Sequence, residues 1–575
     1  MEYTDTFAKK LVDQMTLDQK VGAVLTLGFA GVVPKPYIYD FIEKYHCGGL
    51  RLSCDMRTFG SYVDPKSGKT VVDVERQTGI KYKQTAPTCT AGEYAAVLAD
   101  LQMAARKRPL GIPLHFSFDQ EGGSSADFCF GGVNIFPKPM GLTATGDKEL
   151  TYKAALETAR QSRAVGFNWV HSPVLDICSE PRNPEIYTRS YSDDPAVVAD
   201  YAATCRGLRD GGVIATGKHF PGRGHSCQDA HFGVPVIDVD RETMERRELR
   251  PYRALIAQGL LPSIMIAHSI FPAIDPDNIA TVSRKVITGL LREELGFEGV
   301  ITTDSMTMGA IATRYGVANA CAMALAAGAD LVLMKAENEL VGETVDTIKA
   351  FVADGRLPIE ELNDKVYRIL ALKHQYGLFE EPDAARDPER EVRDPAVKAL
   401  AAEIARKSIL VARDADKLLP LPTDKKILVV EQKVKEYNDM QWHSGILYEA
   451  CMRQSRHVDY QETAYSYDDA DKTAIMARAR DYDLLVITSY FLRGKLSNRE
   501  WLEGFLADCK TPAVIVTNTP FEEISIPKNA HNVVITFATS PANVKATAEV
   551  LFGKCKAEGK MPVKNGISVS AEAMV

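Results

Sequence analysis

The sequence lacks the patterns that would point to disulfide bonds or to a bound metal ion. Its 575 residues include 11 cysteines, which are scattered, odd in number and without CxxC spacing. Secreted disulfide frameworks usually carry an even number of cysteines at short spacings, and zinc sites use paired ligands. We therefore expect reduced thiols in a cytoplasmic protein, with no metal and no other cofactor.

Long apolar runs and an excess of positive charge are also absent. The sequence contains no run of about 18 apolar residues, so no membrane span is expected. The N-terminus lacks the basic start and apolar core of a secretory signal. The formal net charge is −8, which gives no general attraction to nucleic acid or to an anionic membrane. We expect neither nucleic acid nor membrane as a partner.

What is present is the composition of a large globular protein, with 45% hydrophobic and 25% charged residues. The length predicts two or three domains. Through the first 335 residues, short apolar runs alternate with longer segments of helical period. Eight runs are predicted to be strands: residues 22–28, 48–53, 113–119, 169–176, 213–219, 263–268, 299–304 and 330–335.

Near-continuous apolar strands that alternate with helices indicate a parallel sheet covered on both faces. Eight such units predict a (β/α)8 TIM-type barrel. Five of the predicted strands end on an acidic residue or a histidine, namely Asp119, Asp176, His219, His268 and Asp304. In a barrel of this type those ends converge on one mouth, where the chemistry takes place.

A second domain is predicted beyond the barrel, which we assign to residues 1–379. Residues 380–398 are rich in Asp, Glu, Arg and Pro and predict a linker. Residues 399–575 alternate helical segments with strand-like runs at 427–430, 484–489, 513–518 and 533–538, which predicts a three-layer α/β sandwich with an open parallel sheet. The second domain has no glycine-rich phosphate loop at its start, so a nucleotide role is not expected.

One long irregular segment, residues 55–90, follows the second predicted strand. Loops of this length in a compact domain are usually functional or disordered. Because this loop follows a barrel strand, we expect it to reach over the mouth.

The segment richest in chemical groups is residues 218–224, with the sequence KHFPGRG, followed by Asp229 and His231. Asp229 and His231 flank one residue, so in an extended loop both face the same side. A carboxylate beside an imidazole fixes its tautomer and raises its basicity, which suits proton transfer near neutral pH. A structural Asp–His pair is the alternative. A metal site is disfavoured because no third ligand is suitably spaced.

These residues resemble glycoside hydrolase family 3, and in particular its β-N-acetylglucosaminidase branch, which carries a KHFPG loop followed by an Asp-x-His dyad. The resemblance extends along nearly the whole chain. It includes residues 118–123 (FDQEGG), 173–176 (PVLD), 189–191 (RSY), 283–284 (SR), 295–297 (LGF), 299–301 (GVI), 303–306 (TDSM), 551–554 (LFGK) and 559–563 (GKMPV). It implies the same barrel and second domain that the pattern predicts.

The resemblance also implies roles for individual residues. Asp304 corresponds to the nucleophile, and His231, oriented by Asp229, to the acid/base of a retaining mechanism. Positions assigned to substrate binding or to its support are Asp119, Arg189, Lys218, His219, His268 and Asp176. Of these, His268 and Asp176 are expected either to bind sugar or to hold other site residues in place.

Two positions depart from the family pattern. Residues 124–127 (SSAD) stand where the family commonly has an Arg after the two glycines, which puts the identity of the sugar or its leaving group in question. Arg223 stands where His is more usual, and we expect it to be a solvated loop residue away from the nucleophile and the dyad.

The resemblance therefore implies an enzyme that removes by hydrolysis a terminal β-linked N-acetylhexosamine from a small carbohydrate, such as a cell-wall fragment or an imported amino-sugar disaccharide. Three alternatives stay open. A β-glycoside phosphorylase would use phosphate in place of water, since a histidine does not repel the incoming anion. A β-glucosidase of the same family and a non-catalytic sugar-binding protein are the other two.

Overall fold

The structure of the protein is a computed structural model. It describes residues 4–53, 89–230, 233–335, 339–380, 386–433, 445–492 and 497–575, together with the backbone of two short paired strands, Tyr62–Val63 and Thr70–Val71. Most of the predicted covering loop, residues 55–90, lies outside the described residues. His231 also lies outside them.

Eight parallel strands close into the predicted barrel. They are β1 (Leu25–Ala30), β2 (Gly49–Ser53), β3 (His115–Phe118), β4 (Trp169–Val170), β5 (Ile214–Phe220), β6 (Ser263–Ile266), β7 (Val300–Ser305) and β8 (Leu331–Met334). Each strand pairs with the next, and β1 pairs with β8. The barrel prediction is confirmed. Strand β4 is shorter than the predicted run, but the Leu175 amide still donates to the Lys218 carbonyl of β5 at 2.6 Å.

Helices surround the barrel and connect its strands. They are Thr6–Gln14, Leu17–Ala23, Pro36–Glu43, Ala91–Arg106, Pro139–Ala144, Lys148–Val165, Pro195–Ala202, Arg206–Asp210, Arg241–Arg246, Arg250–Ala257, the wide π-type helix Lys285–Glu294, Gly309–Tyr315, Val317–Ala327, Leu340–Ala353 and Ile359–Gln375. Single 3₁₀ turns lie at Pro109–Gly111, Tyr187–Arg189, Ala203–Cys205 and Ala280–Val282. Among the described residues, no helix is long and apolar enough to cross a membrane.

Local sequence fixes where these helices begin and end. The helix Ala91–Arg106 starts at a capping box, in which Thr90 and Glu93 each bond the other's backbone N–H. The helix Lys148–Val165 starts where the Asp147 side chain accepts two N–H groups. It ends at Gly166, whose φ of 113° permits the left-handed turn that closes it.

The N-terminal end of the barrel is held by a buried ionic cluster. Asp330, which precedes β8, accepts from Arg292, from Arg368 Nε at 2.8 Å and from the Ile301 amide at 2.8 Å. Nearby, Lys373 donates to two strand-entry carbonyls at 2.6 and 2.8 Å. These bonds tie the outer helices to the strand starts, opposite the mouth, so we assign this end to stability.

The second domain is a three-layer α/β sandwich around a six-stranded sheet of order β9-β14-β13-β12-β10-β11. Its strands are β9 (Leu410–Asp414), β10 (Ile427–Gln432), β11 (Val458–Thr463), β12 (Leu484–Ser489), β13 (Ala513–Thr517) and β14 (Asn532–Ile535). Its helices are Pro395–Ser408, Ile446–Met452, Asp469–Ala479, Arg499–Asp508 and Pro541–Leu551, with a last turn at Ala571–Ala573.

Alternation along the strands produces the two covered faces of this sheet. In β10, Leu428 and Val430 pack with one hydrophobic cluster, whereas Ile427 and Val429 pack with another on the opposite side. The expected wholly parallel sheet is wrong at one edge, because β9 pairs antiparallel with β14. Both edge strands, β9 and β11, escaped prediction because their outward faces carry polar residues instead of a continuous apolar run.

The segment between the domains is ordered where the structure describes it. A short helix, Pro388–Val392, lies within the predicted linker, and Glu389 accepts from the Gly92 amide of the barrel at 2.9 Å. The helix Pro395–Ser408 also begins inside the predicted linker. The two domains are therefore joined by helices that pack on the barrel, and residues 381–385 lie outside the described part.

We expect Asp330→Asn to lower the free energy of unfolding by about 3–5 kcal/mol, since it leaves two largely buried arginines without their carboxylate. Catalytic constants at low temperature should stay within about twofold, because the change lies at the end of the barrel that carries no chemistry. Thermal unfolding and kinetics on the same preparation measure both. Asp354→Asn, which breaks an exposed pair with Arg356, is the matched control and should leave the melting temperature unchanged. An unaltered melting temperature in Asp330→Asn would contradict the assignment.

Candidate active site

The C-terminal ends of the barrel strands bring most of the predicted site residues together. Asp119 follows β3, Lys218 and His219 lie in β5, and Asp304 lies in β7. Polar contacts connect these residues in pairs, Lys218 with Asp119 and His219 with Asp304. Convergence of strand ends explains why residues up to 185 positions apart in the sequence, from Asp119 to Asp304, share one site.

Asp119 is surrounded by cations. Arg51 Nη2 lies 2.5 Å from Asp119 Oδ2 and 2.6 Å from Asp127 Oδ2, and Lys218 Nζ lies 2.9 Å from Asp119 Oδ1. His171 Nδ1 lies 3.5 Å from the same oxygen. Burial opposes ionisation, but Arg51 and Lys218 outweigh it and hold the pKa of Asp119 well below its ordinary value. Its side chain is 34% exposed, so an ionised acceptor faces the mouth.

Glu121 links the two other predicted cations. Its carboxylate binds Arg189 through two bonds of 2.7 and 2.8 Å, and Lys218 Nζ lies 2.6 Å away. Burial alone would raise the pKa of Glu121, but the charges of Arg189 and Lys218 lower it to about 2. Arg189 and Lys218 are themselves buried. Their positions are therefore set by a carboxylate below the mouth.

His219 is a neutral histidine with an assigned tautomer. Its Nε2 lies 2.8 Å from Arg223 Nη2, and a guanidinium only donates, so Nε2 accepts. Its Nδ1 therefore carries the proton and donates to Asp176 Oδ2 at 2.6 Å. Burial and the Arg223 charge hold the pKa of His219 well below its ordinary value. Burial raises the pKa of Asp176 to about 6, and this carboxyl lies behind the histidine, away from the mouth.

Asp304 presents a carboxylate whose second oxygen faces a cation. Oδ1 accepts from the Ser305 amide at 2.7 Å, and Oδ2 lies 3.3 Å from Arg223 Nη1 and 4.0 Å from His219 Nε2. The Asp304 side chain is 15% exposed, whereas that of Arg223 is 2% exposed. The expectation for Arg223 is therefore wrong in both respects. It is buried, and it contacts the predicted nucleophile.

His268 supports the backbone beside Asp304. It is fully buried, with Nδ1 2.6 Å from Thr281 Oγ1 and Nε2 3.0 Å from the Ser305 carbonyl. Since a carbonyl only accepts, Nε2 donates to it. These bonds direct the ring at Ser305 and Thr281. Of the two roles expected for His268, the geometry favours support over contact with sugar.

The loop that carries Asp229 packs against the segment that follows β7. The Ala310 amide donates to the Ala230 carbonyl at 3.4 Å, and Ala230 lies in a small apolar cluster with Met308 and Ala310. Glu185 accepts from the Ala230 amide at 3.4 Å. Ala230, the residue between Asp229 and His231, is thus placed beside the segment that follows the strand carrying Asp304.

Sequence reasoning gave no site role to five charged residues that the structure places here: Arg51, Glu121, Asp127, Glu185 and Arg223. Arg51 had a detectable signal, because it is a charged residue inside an otherwise apolar strand. Asp127 was noticed only as a departure from the family pattern. It accepts from the Asp119 amide at 2.7 Å and pairs with Arg51. Nothing in the sequence around Glu185 distinguishes it from a surface loop residue.

The second domain packs on the loop that carries Arg189. The Tyr187 and Phe491 rings meet edge to face with centroids 5.4 Å apart. Asn565 donates to the Cys178 carbonyl at 3.0 Å, and Ser192 donates to the Pro562 carbonyl at 2.5 Å. The second domain thus supports the site from behind.

Residues 70–372 match the family described as glycosyl hydrolase family 3 N terminal domain. The chain belongs to glycoside hydrolase family 3. Beta-hexosaminidase A of Pseudoalteromonas piscicida is 26% identical over 96% of this chain and 99% of that protein. The beta-N-acetylglucosaminidase/beta-glucosidase of Cellulomonas fimi is 32% identical over 59% of this chain and 60% of that protein.

Solved structures share the fold of this chain over nearly its whole length. The family 3 beta-N-acetylglucosaminidase from Paenibacillus sp. superposes with a TM-score of 0.84 at 29% identity, covering 96% of this chain and all of that one. A beta-glucoside phosphorylase superposes with a TM-score of 0.78 at 22% identity, covering 97% and 96%, which shows the shared fold alone. The chain is a glycoside hydrolase of this family, similar to its β-N-acetylglucosaminidase branch.

We expect Glu121→Gln to raise KM at least about tenfold, since Arg189 and Lys218 lose the charged acceptor that orients them. It should also lower the free energy of unfolding by about 3 kcal/mol near pH 7. Because the folded pKa of Glu121 is about 2 and its ordinary value is 4.5, this stabilisation is present above pH 4.5 and is lost as the pH falls toward 2.

Urea unfolding of wild type and Glu121→Gln across that range measures the difference directly. The gap between the two should narrow as the pH falls. Glu343→Gln, on the exposed face of the helix Leu340–Ala353, is the matched control. A gap that widens on acidification would refute the ionised state of Glu121.

Proposed function

We propose that the protein is a retaining exo-β-N-acetylhexosaminidase that removes a terminal β-linked N-acetylglucosamine. One observation carries the proposal. Asp304, a carboxylate with partial exposure, lies at the mouth between a buried cationic network and the loop of Asp229, which packs on the segment after β7. A nucleophile and a proton donor are needed on the two sides of a glycosidic bond, and this arrangement supports both.

In the first step Asp304 Oδ2 attacks the anomeric carbon and the bond to the leaving oxygen breaks. His231 gives that oxygen its proton, with Asp229 holding the imidazole in the required orientation. The product is a glycosyl ester on Asp304 and a free alcohol. Arg223 places a positive charge 3.3 Å from the attacking oxygen.

In the second step water attacks the same carbon, and the imidazole of His231 takes the proton. The ester bond breaks and returns the carboxylate of Asp304. Two successive inversions give a sugar with the β configuration of the substrate.

Sugar recognition is proposed to centre on Asp119. Its exposed, ionised carboxylate accepts hydrogen bonds from sugar hydroxyls, and a charged acceptor makes strong and directional ones. Lys218 and His219, at the end of β5, border the space in front of Asp119. Arg189 supports them through Glu121, which binds both Arg189 and Lys218. The proposed substrates are small amino-sugar glycosides such as cell-wall fragments, and we propose a cytoplasmic site of action.

A matched panel of p-nitrophenyl β-glycosides, assayed with and without phosphate, tests which sugar is cleaved and whether water or phosphate receives it. We expect the N-acetylglucosaminide to be cleaved with a kcat/KM at least about 100-fold above that of the glucoside, since a site with buried polar groups discriminates by unpaired donors and acceptors. Added phosphate should leave the rate unchanged. Phosphate-dependent release of a sugar 1-phosphate would show a phosphorylase, and a preference for the glucoside would refute the amino-sugar assignment.

We expect His231→Ala to affect substrates according to their leaving groups. Cleavage of a methyl glycoside should fall about 10²–10⁴-fold, the usual contribution of general acid catalysis, whereas formation of the glycosyl-enzyme from a p-nitrophenyl glycoside needs little protonation. Values of kcat/KM for the two substrates measure this. His225→Ala, on the same loop and bonded to Ser179, is the control. Equal losses on both substrates would remove His231 from the acid role.

A further inference from the structure

The Glu185 carboxylate bridges the two halves of the proposed machinery. Its Oε1 lies 2.8 Å from Arg223 Nη2, and its Oε2 accepts from the Ala230 amide at 3.4 Å. The side chain is 2% exposed. We propose that Glu185 is a positioning residue that fixes the nucleophile and the proton donor relative to each other. This inference rests on the function proposed above and is not part of the family resemblance.

The first arm of the bridge runs to the nucleophile. Arg223 uses Nη2 for Glu185 and His219, and Nη1 for Asp304 at 3.3 Å. The guanidinium is rigid and planar, so anchoring Nη2 also fixes where Nη1 points. The bond from Glu185 Oε1 to Nη2 therefore decides where the cation lies beside the attacking oxygen.

The second arm runs to the acid/base loop. Ala230 lies between Asp229 and His231, and its amide and carbonyl are both held, the amide by Glu185 and the carbonyl by the Ala310 amide. When both the N–H and the C=O of a residue are hydrogen-bonded, the backbone positions of its two neighbours are restricted as well. Glu185 therefore holds the Ala230 backbone, to which both residues of the dyad are bonded.

The anchor itself is well held. Asn183 Oδ1 accepts from the amides of Glu185 and Ile186 at 2.9 and 2.8 Å, and Asn183 Nδ2 donates to the carbonyls of Arg223 and Gly224 at 3.1 Å. The turn that carries Glu185 is thus bonded to the loop that carries Arg223 through backbone as well as side chain. Phe491 of the second domain packs on the same turn through Tyr187.

A carboxylate is required for both arms. It accepts on each oxygen, whereas an amide has one acceptor oxygen and one NH₂ group. In Glu185→Gln the oxygen is expected to keep the stronger, charge-assisted bond to Arg223. The NH₂ then faces the Ala230 N–H, donor against donor, and the loop arm is lost.

The test compares variants on the β-glycoside that the wild-type enzyme cleaves best, with a methyl and with a p-nitrophenyl leaving group. Glu185→Gln should lower kcat/KM about 100-fold for the methyl glycoside, the effect of a displacement of about 1 Å, and less than about fivefold for the p-nitrophenyl glycoside. Arg223→Lys keeps the charge but loses the fork, and should lower both equally. KM should change less than about twofold in Glu185→Gln, because the side chain is buried and its 3.9 Å contact with Arg189 is weak beside the two bonds from Arg189 to Glu121.

Glu185→Ala removes both arms. It should therefore lower kcat/KM for both substrates, as Arg223→Lys does, and lower it further for the methyl glycoside, as Glu185→Gln does. In the double variant Glu185→Ala/Arg223→Lys, the loss of kcat/KM common to both substrates should be smaller than the product of the two single losses, since both changes disrupt the same contact between Arg223 and Asp304. Thermal melting identifies any variant that fails to fold, in which case Glu185→Gln alone decides. Glu180→Gln, on the same loop and paired with exposed Arg182, is the matched control and should behave as wild type.

Two results would overturn the proposal: Glu185→Gln indistinguishable from Glu180→Gln, or equal losses on both leaving groups in Glu185→Gln. Failure of the proposed function has a different appearance, because His231→Ala would then show no dependence on the leaving group. If Glu185→Gln behaves as wild type while the effect of His231→Ala depends on the leaving group, the positioning role of Glu185 is wrong and the proposed function stands.

Discussion

The site depends on one constraint, that each charge buried at the barrel mouth needs an opposite charge in contact. Removing either member of a buried pair typically costs about 3–5 kcal/mol, so the pairs fix one another's geometry. The constraint is met twice. Asp119 and Glu121 hold the cations on the sugar-binding side, and Glu185 holds Arg223 on the side of Asp304. Partial exposure is left to the two carboxylates proposed to meet the substrate, Asp119 and Asp304.

This constraint also relates the second domain to the chemistry. The turn with Glu185 and Arg189 projects from the barrel, and Phe491 and the segment around Asn565 cover its outer side. Covering the turn excludes water from the ion pairs, which strengthens them. Packing alone is therefore a sufficient role for this domain, since the proposed acid/base comes from the barrel loop.

The barrel was predictable because its signals are local. Each strand is a short apolar run between segments of helical period, and polar residues at strand ends locate the mouth. The second-domain sheet was predictable only at its centre. Strands β9 and β11 lie at its edges, where one side of the strand meets solvent and the apolar run disappears. The identity of a pairing partner, and hence the antiparallel edge, depends on contacts distant in the sequence.

The site was predictable where a residue sits at a strand end or in a recognised motif, as for Asp304, Lys218 and His219. The site was not predictable where a residue's role depends on a contact with a residue distant in the sequence. Arg223 was expected to be a solvated loop residue, yet His219, Glu185 and Asp304 contact it. Glu185 lies on a turn whose sequence has no periodicity, and only the folded chain brings it to Ala230.

The central claim is that Asp304 becomes covalently bonded to the sugar. Incubation with a 5-fluoro-N-acetylglucosaminyl fluoride slows both steps and accumulates the glycosyl-enzyme, since fluorine destabilises the oxocarbenium-like transition states. Peptide mass spectrometry of the quenched enzyme is then expected to place one glycosyl group on Asp304. An enzyme that carries no glycosyl group when it is quenched during steady consumption of excess reagent, or a glycosyl group on another carboxylate, would contradict the account.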